Sequence, residues 1–201
     1  MLPKRVTIFG SSQTRPGDPA YAQALRLGHL LGKAGYTVLT GGYIGTMEAI
    51  SRGAAEAGGH VIGVTCEDIE RWRSVKANAW VQEEWRCPTL RDRLARLIDG
   101  CEAALALPGG PGTLTEIALT WNLLLTESIS SRPLILIGPA WQATFEAFFQ
   151  TFNEYVPHSQ RQWLSFTKDE EAAVKELEKR WCSNPDTSSS NIINSRENNG
   201  N

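Results

Sequence analysis

The residues that could do chemistry are concentrated in one glycine-rich turn, where residues 108–116 read PGGPGTLTE. An apolar run at positions 103–107 is short enough to be a buried strand, and Thr113 opens a run of helical composition. A strand that passes through bare glycines into a helix leaves several backbone N–H groups directed at one point, at the positive end of the helix dipole. Such an arrangement typically binds an anion, most often a phosphate. The sequence therefore predicts a phosphate site at this turn.

A carboxylate follows the predicted phosphate site, because Glu116 lies about one turn into the helix. A negative charge beside an anion site opposes simple phosphate binding. Glu116 therefore indicates chemistry on the rest of the ligand, where it could orient a water molecule or stabilise a positively charged sugar.

A second turn of the same design occurs at residues 41–48, which read GGYIGTME, and the first predicted strand ends in a related FGSS stretch at residues 9–12. Glycine is also common at strand-to-helix turns for structural reasons alone, and that alternative stays open for each turn taken singly. Two such turns in one chain favour a shared ligand site. The residues predicted to bind the phosphate or the nucleotide are Gly109, Gly110, Gly112, Thr113, Gly41, Gly42, Gly45, Thr46, Ser11 and Ser12.

The elements that must position these turns alternate between strand-like and helix-like segments. This alternation predicts a single α/β domain over residues 1–181, with a Rossmann-like, doubly wound parallel sheet and helices on both faces. The polar residues 66–78 are predicted to form a loop and residues 79–81 a short strand. The segment 182–201 offers almost nothing to bury and is predicted to be a disordered polar tail.

Composition and charge exclude several other classes of protein. With a net charge of −2 and no long apolar run, neither nucleic acid nor a membrane is expected as a partner. The four cysteines lack CxxC spacing, so no metal site is predicted; reduced thiols and the lack of a leader pattern favour a cytoplasmic protein. The usual dinucleotide-binding motif, a P-loop lysine and a GxSxG nucleophile elbow are all missing from the sequence.

The motif PGGxGTxxE at residues 108–116, preceded by Arg93, resembles the LOG family of cytokinin riboside 5′-monophosphate phosphoribohydrolases, which are often mislabelled lysine decarboxylases. Residues 41–47 are similar to that family's GGxxGxM stretch, and the resemblance covers roughly residues 5–150. It implies a hydrolase that cleaves the N-glycosidic bond of a nucleoside 5′-monophosphate, with Glu116 and Arg93 as catalytic residues and no cofactor. Lysine decarboxylation would need pyridoxal phosphate on a lysine, and no lysine falls at the predicted site.

Arg93 has two interpretations. Helical periodicity alone places it on a solvated helix face with Arg91 and Arg96, whereas the resemblance makes it catalytic. In the catalytic role it could hold the phosphate bidentately or assist the leaving base.

Two departures from the family pattern leave the recognised base unassigned. Glu48 stands where active members have glycine, and Leu94 stands where they have lysine. Relatives of the fold also include molybdopterin carriers, so a non-catalytic nucleotide- or molybdopterin-binding carrier is the alternative function.

The resemblance further implies a homodimer. The last two core helices carry more large apolar side chains than one small sheet face obviously needs, although filling the core of the chain is the alternative. These residues are Trp121, Leu123, Leu124, Leu125, Trp141 and Phe148.

Overall fold

The computed structural model describes residues 3–183 of the 201-residue chain, which contain one seven-stranded sheet. All pairs of neighbouring strands are parallel. The strands are β1 (Arg5–Phe9), β2 (Thr37–Thr40), β3 (Val61–Cys66), β4 (Glu83–Cys87), β5 (Ala103–Ala106), β6 (Leu134–Ile137) and β7 (Leu164–Thr167). Their order across the sheet is β4-β3-β2-β1-β5-β6-β7.

Eight helices accompany the strands within residues 3–183. They are α1 (Pro19–Lys33), α2 (Thr46–Glu56), α3 (Glu67–Trp72), α4 (Leu90–Asp99), α5 (Pro111–Leu125), α6 (Pro139–Thr151), α7 (His158–Arg161) and α8 (Glu170–Ser183). None of the helices in this part of the chain is long and apolar enough to cross a membrane.

Helices cover both faces of the sheet. Helices α1, α2 and α8 form one hydrophobic core with the first face, in which Leu27 and Ile50 are buried. Helices α4, α5 and α6 form a second core with the opposite face, in which Ile117 and Phe145 are buried. The prediction of a single Rossmann-like α/β domain with a doubly wound parallel sheet is therefore confirmed.

The segment between β3 and α4 differs from the prediction. Helix α3 lies within the predicted loop at residues 66–78, and the strand before α4 is β4 at Glu83–Cys87 rather than at residues 79–81. Strand β4 is an edge strand whose side chains are mostly exposed, and α3 buries none of its residues. Neither element therefore has the apolar periodicity from which sequence patterns are recognised.

The predicted end of the domain at residue 181 stays a prediction, because helix α8 continues to Ser183, which is the last residue that the structure describes. The remainder of the predicted tail lies outside the described residues, so its disorder stays a prediction.

Two glycines bring helices α1 and α2 into close contact. A Cβ atom on Gly28 would lie 2.2 Å from the carbonyl oxygen of Ile50, and one on Gly53 would lie 2.0 Å from the carbonyl oxygen of Leu25. Since these neighbours are backbone atoms, the helices could not pack this closely with any side chain at either position. The contact fixes α2, and with it the turn between β2 and α2.

The strand order places a ligand site at one predictable point. The chain builds the sheet outward from β1 through β4, and then returns to the other side of β1 with β5. In open parallel sheets, ligands bind beyond the carboxyl ends of the strands at such a switch point. The loops that follow β1 and β5 therefore border the expected site.

Candidate active site

A cleft of about 630 Å³ opens at this switch point. Its walls come from the loops after β1 and β2, from α3 and the residues that follow it, from α4, and from the start of α5. Seven of the predicted site residues line it, namely Ser11, Ser12, Arg93, Gly110, Gly112, Thr113 and Glu116. Gly41, Gly42, Gly45, Thr46 and Gly109 lie outside the lining that the described residues form.

The start of helix α5 has the form of an anion site. A Cβ atom on Gly110 or Gly112 would meet no atom within 4 Å, so packing within the chain does not require glycine at either position. The N–H groups of Gly112 and Thr113 belong to the first turn of the helix, where intrahelical acceptors are missing. The N–H of Leu114, in contrast, already donates to the carbonyl oxygen of Gly110 at 3.0 Å. The free space and the N–H groups thus face the cleft together.

Gly109 serves a different purpose from its two neighbours. A Cβ atom at this position would lie 2.1 Å from the Oγ1 atom of Thr113. Glycine here therefore allows Thr113 to fold back against the turn, where that side chain is buried.

The turn at residues 41–46 supports the cleft from behind. A Cβ atom on Gly41 would lie 1.7 Å from Nη2 of Arg93, and one on Gly45 would lie 2.7 Å from the carbonyl oxygen of Ser11. Gly42 and Gly45 also have φ values of 77° and 76°, which favour glycine. Thr46 is buried and donates its N–H to the carbonyl oxygen of Ser11 at 2.9 Å. The two turns are alike in sequence, yet only the turn at residues 108–116 places glycines, Gly110 and Gly112, in the cleft lining.

The loop after β1 contributes two hydroxyl groups to the cleft. The Oγ atom of Ser11 accepts the N–H of Gln13 at 3.0 Å. The Oγ atom of Ser12 accepts a hydrogen bond from Nη1 of Arg73 at 2.9 Å. The second of these bonds connects the loop after β1 to the residue that follows α3.

Arg93 is buried and fixed by the backbone. Its side chain crosses to the sheet, where Nε donates to the carbonyl oxygen of Val64 at 2.7 Å and Nη2 donates to that of Gly41 at 3.1 Å. The residue is only 5% exposed, so the interpretation as a solvated surface arginine is wrong. Nη1 is the nitrogen left to face Glu116, with 4.0 Å to its Oε1 atom. Two of the five N–H groups of the guanidinium are thus engaged by backbone carbonyl oxygens, and a phosphate would be contacted mainly through Nη1.

Glu116 is a buried carboxyl group beside this cation. It is 9% exposed, and burial raises its pKa from 4.5 to about 7, while the charge of Arg93 acts in the opposite direction. Within the described residues, the ion pair with Arg93 is the only polar contact of its carboxylate. A carboxyl group with this pKa can both accept and return a proton near neutral pH.

Tyr43, Trp72 and Arg73 are prominent among the cleft residues that were not predicted from the sequence. The hydroxyl of Tyr43 accepts the N–H of Cys66 at 2.7 Å and donates to the carbonyl oxygen of Cys66 at 3.0 Å, which ties the turn after β2 to the end of β3. Burial raises the pKa of this phenol to about 12, so it remains protonated. Trp72 and Arg73 also line the cleft. The sequence pattern that could have identified them is a tryptophan within a mostly polar segment.

Comparison with known proteins assigns the family. The profile of the SLOG cluster4 family (LDcluster4) matches residues 3–155. The chain belongs to this family. The match, together with the relatives below, confirms the resemblance to LOG-type phosphoribohydrolases.

Curated relatives of the chain carry nucleosidase names. The chain is 29% identical over 168 residues to the pyrimidine/purine nucleotide 5′-monophosphate nucleosidase of Escherichia coli K12, covering 78% of this chain but only 35% of that protein. It is 28% identical to the cytokinin riboside 5′-monophosphate phosphoribohydrolase LOG2 of Arabidopsis thaliana, with 67% and 62% coverage. It is 25% identical to the cytokinin riboside 5′-monophosphate phosphoribohydrolase of Rhodococcoides fascians, with 78% and 76% coverage. The chain thus spans about a third of the length of the E. coli enzyme.

Solved structures share the fold. The molybdenum cofactor binding protein of Rippkaea orientalis superposes with a TM-score of 0.71 at 21% identity, covering 90% of this chain and 98% of that one. The molybdenum cofactor carrier protein of Chlamydomonas reinhardtii gives a TM-score of 0.67 at 21% identity, with 90% and 99% coverage. At this identity the likeness shows the fold alone.

Glu116→Gln is expected to stabilise the unliganded protein in a pH-dependent way. The carboxyl has a pKa near 4.5 when unfolded and about 7 when folded, so its protonated form favours the fold. That contribution is complete below pH 4.5 and is lost as the pH rises to 7. The neutral amide avoids this loss. The free energy of unfolding of the variant, relative to that of the wild type, should therefore increase between pH 5 and pH 8, by at most on the order of 3 kcal/mol.

Urea unfolding at both pH values measures this gain. Glu154→Gln is the control, since Glu154 is exposed and should show no such gain. An equal stability difference between wild type and Glu116→Gln at pH 5 and pH 8 would contradict the burial argument.

Proposed function

We propose that this chain hydrolyses the N-glycosidic bond of a nucleoside 5′-monophosphate, releasing the free base and ribose 5-phosphate. The observation that carries the proposal is the buried Glu116 beside Arg93, in the same cleft as the open N-terminal turn of α5. Phosphate binding alone would not need a buried carboxyl group at this place. The names of the curated relatives support the same reaction.

In this proposal the start of α5 holds the 5′-phosphate. The N–H groups of Gly112 and Thr113 and the positive end of the helix dipole favour a dianion, and Ser11 and Ser12, which carry hydroxyl groups, line the same cleft. Gly112 and Glu116 lie four positions apart on the helix, or about 6 Å along its axis. This distance is comparable with that between a 5′-phosphate and the anomeric carbon of a ribose.

The proposed reaction needs only water and the groups on this chain. As the bond between C1′ and the base nitrogen breaks, its electron pair leaves with the base and the sugar becomes an oxocarbenium-like cation. The carboxylate of Glu116 stabilises that cation and takes a proton from the water that attacks C1′. The same proton then passes to the departing base. Arg93 keeps part of the Glu116 population ionised at neutral pH, because its charge lowers the pKa that burial raises.

A carrier without turnover remains the competing function. Its support is the fold shared with molybdenum cofactor proteins at 21% identity, which is a likeness of fold only. Glu48, the sequence feature that favoured a carrier, lies outside the cleft lining. Its charge instead acts on Tyr21 of α1, whose pKa is raised mainly by the burial of Tyr21 and further by Glu48. The buried Glu116 therefore favours the hydrolase.

We also propose that the protein acts as a cytoplasmic homodimer. Of the residues singled out for an interface, Trp121, Leu124 and Trp141 are buried in the chain's own core. Phe148 remains exposed on α6, and its ring lies 5.1 Å from that of the exposed Phe152. An aromatic pair that the fold leaves uncovered supports an interface at the C-terminal half of α6.

Glu116→Gln is expected to lower kcat for base release from AMP by two to three orders of magnitude, on the order found when a transition-state charge partner is removed. Affinity for AMP should stay similar or increase, because the carboxylate no longer repels the phosphate. Chromatographic measurement of free adenine gives kcat, and calorimetry gives the affinity. Glu154→Gln serves as the control with wild-type turnover. A wild-type protein that binds AMP without releasing adenine would instead favour the carrier.

Gly112→Ala is expected to remove ligand binding and leave the fold intact. The added methyl group meets no protein atom within 4 Å and occupies the space assigned to the phosphate. AMP should raise the melting temperature of the wild type but give the variant little of that shift. The variant without ligand should melt at the wild-type temperature or slightly higher. The phosphate site would be refuted if AMP raised the melting temperatures of the wild type and the variant equally. It would also be refuted if adenosine raised the melting temperature of the wild type as much as AMP does.

Phe152→Glu is expected to convert a dimer into a monomer, since a charge cannot be buried without a partner at an apolar interface. Light scattering at micromolar concentration measures the mass of both proteins, and circular dichroism confirms that the variant is folded. A monomeric wild type would reject the interface.

A further inference from the structure

An exposed tryptophan stands at the mouth of the cleft. Trp72 ends helix α3, lines the cleft and is 71% exposed. Single exposed apolar side chains are ordinary on a protein surface, but Trp72 is exposed at a point where it lines the cleft. Its position in the wall of the cleft makes a ligand of the cleft the natural partner.

The indole is held in place by Arg73. The guanidinium of Arg73 lies 4.1 Å from the centre of the Trp72 ring, and its Nη1 atom donates to Ser12 Oγ at 2.9 Å. The loop after β1 and the end of α3 are thereby joined across the cleft mouth. Trp72 is therefore held in place beside the cleft, while most of its own surface stays open.

Polar contacts, together with one apolar contact, keep α3 beside the cleft. The helix buries none of its residues. Asp68 accepts the N–H of Leu90 through Oδ2 at 2.9 Å, and Glu70 accepts Nη1 of Arg86 at 3.2 Å. These contacts tether α3 to α4 and β4, and Ile69 of α3 packs against the second hydrophobic core. Trp72 therefore has a defined place.

The cleft around Trp72 is apolar, with Ile69, Val75, Leu90 and Leu94 in its lining. These side chains offer no hydrogen-bonding groups that could distinguish the edge of one base from another. The carboxylate of Asp68, a polar group nearby, is engaged by the backbone of Leu90. A ligand at this end would be recognised through a flat aromatic face.

We propose that Trp72 is the platform on which the nucleobase stacks, and that the site accepts nucleoside 5′-monophosphates of different bases. This inference rests on the proposed function for the assignment of the phosphate to α5. Base–aromatic stacking tolerates any base because each has a π-face, and it is stronger for the larger purines. Trp72 thus determines affinity for the base, while Glu116 and Arg93 act on the sugar.

The test separates the base from the sugar phosphate. Calorimetry is carried out with AMP, CMP and ribose 5-phosphate on wild type, Trp72→Ala, Trp72→Phe and Trp80→Ala. Trp72→Ala should lower the affinity for AMP by about tenfold or more and the affinity for CMP by a smaller factor. Its affinity for ribose 5-phosphate should stay within about twofold of the wild-type value. Trp72→Phe should retain most of the affinity for AMP. Trp80, which lies over Arg52 and outside the cleft lining, is the matched control and should change none of the three.

Unchanged affinity for AMP in Trp72→Ala overturns the proposal that Trp72 is the platform. An equal loss of affinity for AMP and for ribose 5-phosphate also overturns it, because that result would indicate a structural effect. Because binding needs no turnover, the two proposals fail separately. If the wild type binds AMP without cleaving it, and Trp72→Ala selectively loses affinity for AMP, the hydrolase is refuted and the platform is supported. If the wild type cleaves AMP, and Trp72→Ala has unchanged affinity and KM for AMP, the hydrolase is supported and the platform is refuted. A wild type that binds neither AMP nor ribose 5-phosphate overturns both.

Discussion

A guanidinium group can be buried only where its N–H groups find acceptors, and the site is organised around that requirement for Arg93. Its acceptors are the carbonyl oxygens of Val64, within β3, and of Gly41, directly after the neighbouring strand β2. The side chain reaches them because Gly41 carries no Cβ atom, which would lie 1.7 Å from Nη2. The backbone of β2 and β3 thus fixes a cation in the cleft, with one nitrogen left to face Glu116 at 4.0 Å.

The properties of Glu116 follow from this fixed cation and from the start of α5. Burial alone favours the neutral acid, and Arg93 partly restores the ionised form, which leaves a pKa of about 7. The same helix begins with Gly110 and Gly112, where free space and unpaired N–H groups favour an anion. An anion site and a proton-transferring carboxyl group are therefore held about one helical turn apart by a single rigid element, and a phosphorylated sugar fits both.

Sequence reasoning predicted the elements whose side chains are buried and missed those whose side chains are not. The parallel sheet and the turn at residues 108–116 have clear apolar and glycine patterns, whereas α3 and β4 are polar surface elements. The two glycine turns could not be told apart from sequence, because the space beside each Cα is set by tertiary neighbours. Gly41 makes room for Arg93, whereas Gly112 faces open space. The commitment of Arg93 to backbone acceptors was likewise beyond any local pattern.

The fate of AMP incubated with the wild-type protein tests the central claim most directly. The buried pair beside the anion site predicts that each AMP consumed yields one adenine and one ribose 5-phosphate, with no inorganic phosphate. Both products can be resolved and quantified by liquid chromatography with mass spectrometry. Release of adenosine and phosphate, or tight binding of AMP with neither product formed, would contradict the assignment of N-glycosidic cleavage to Glu116 and Arg93.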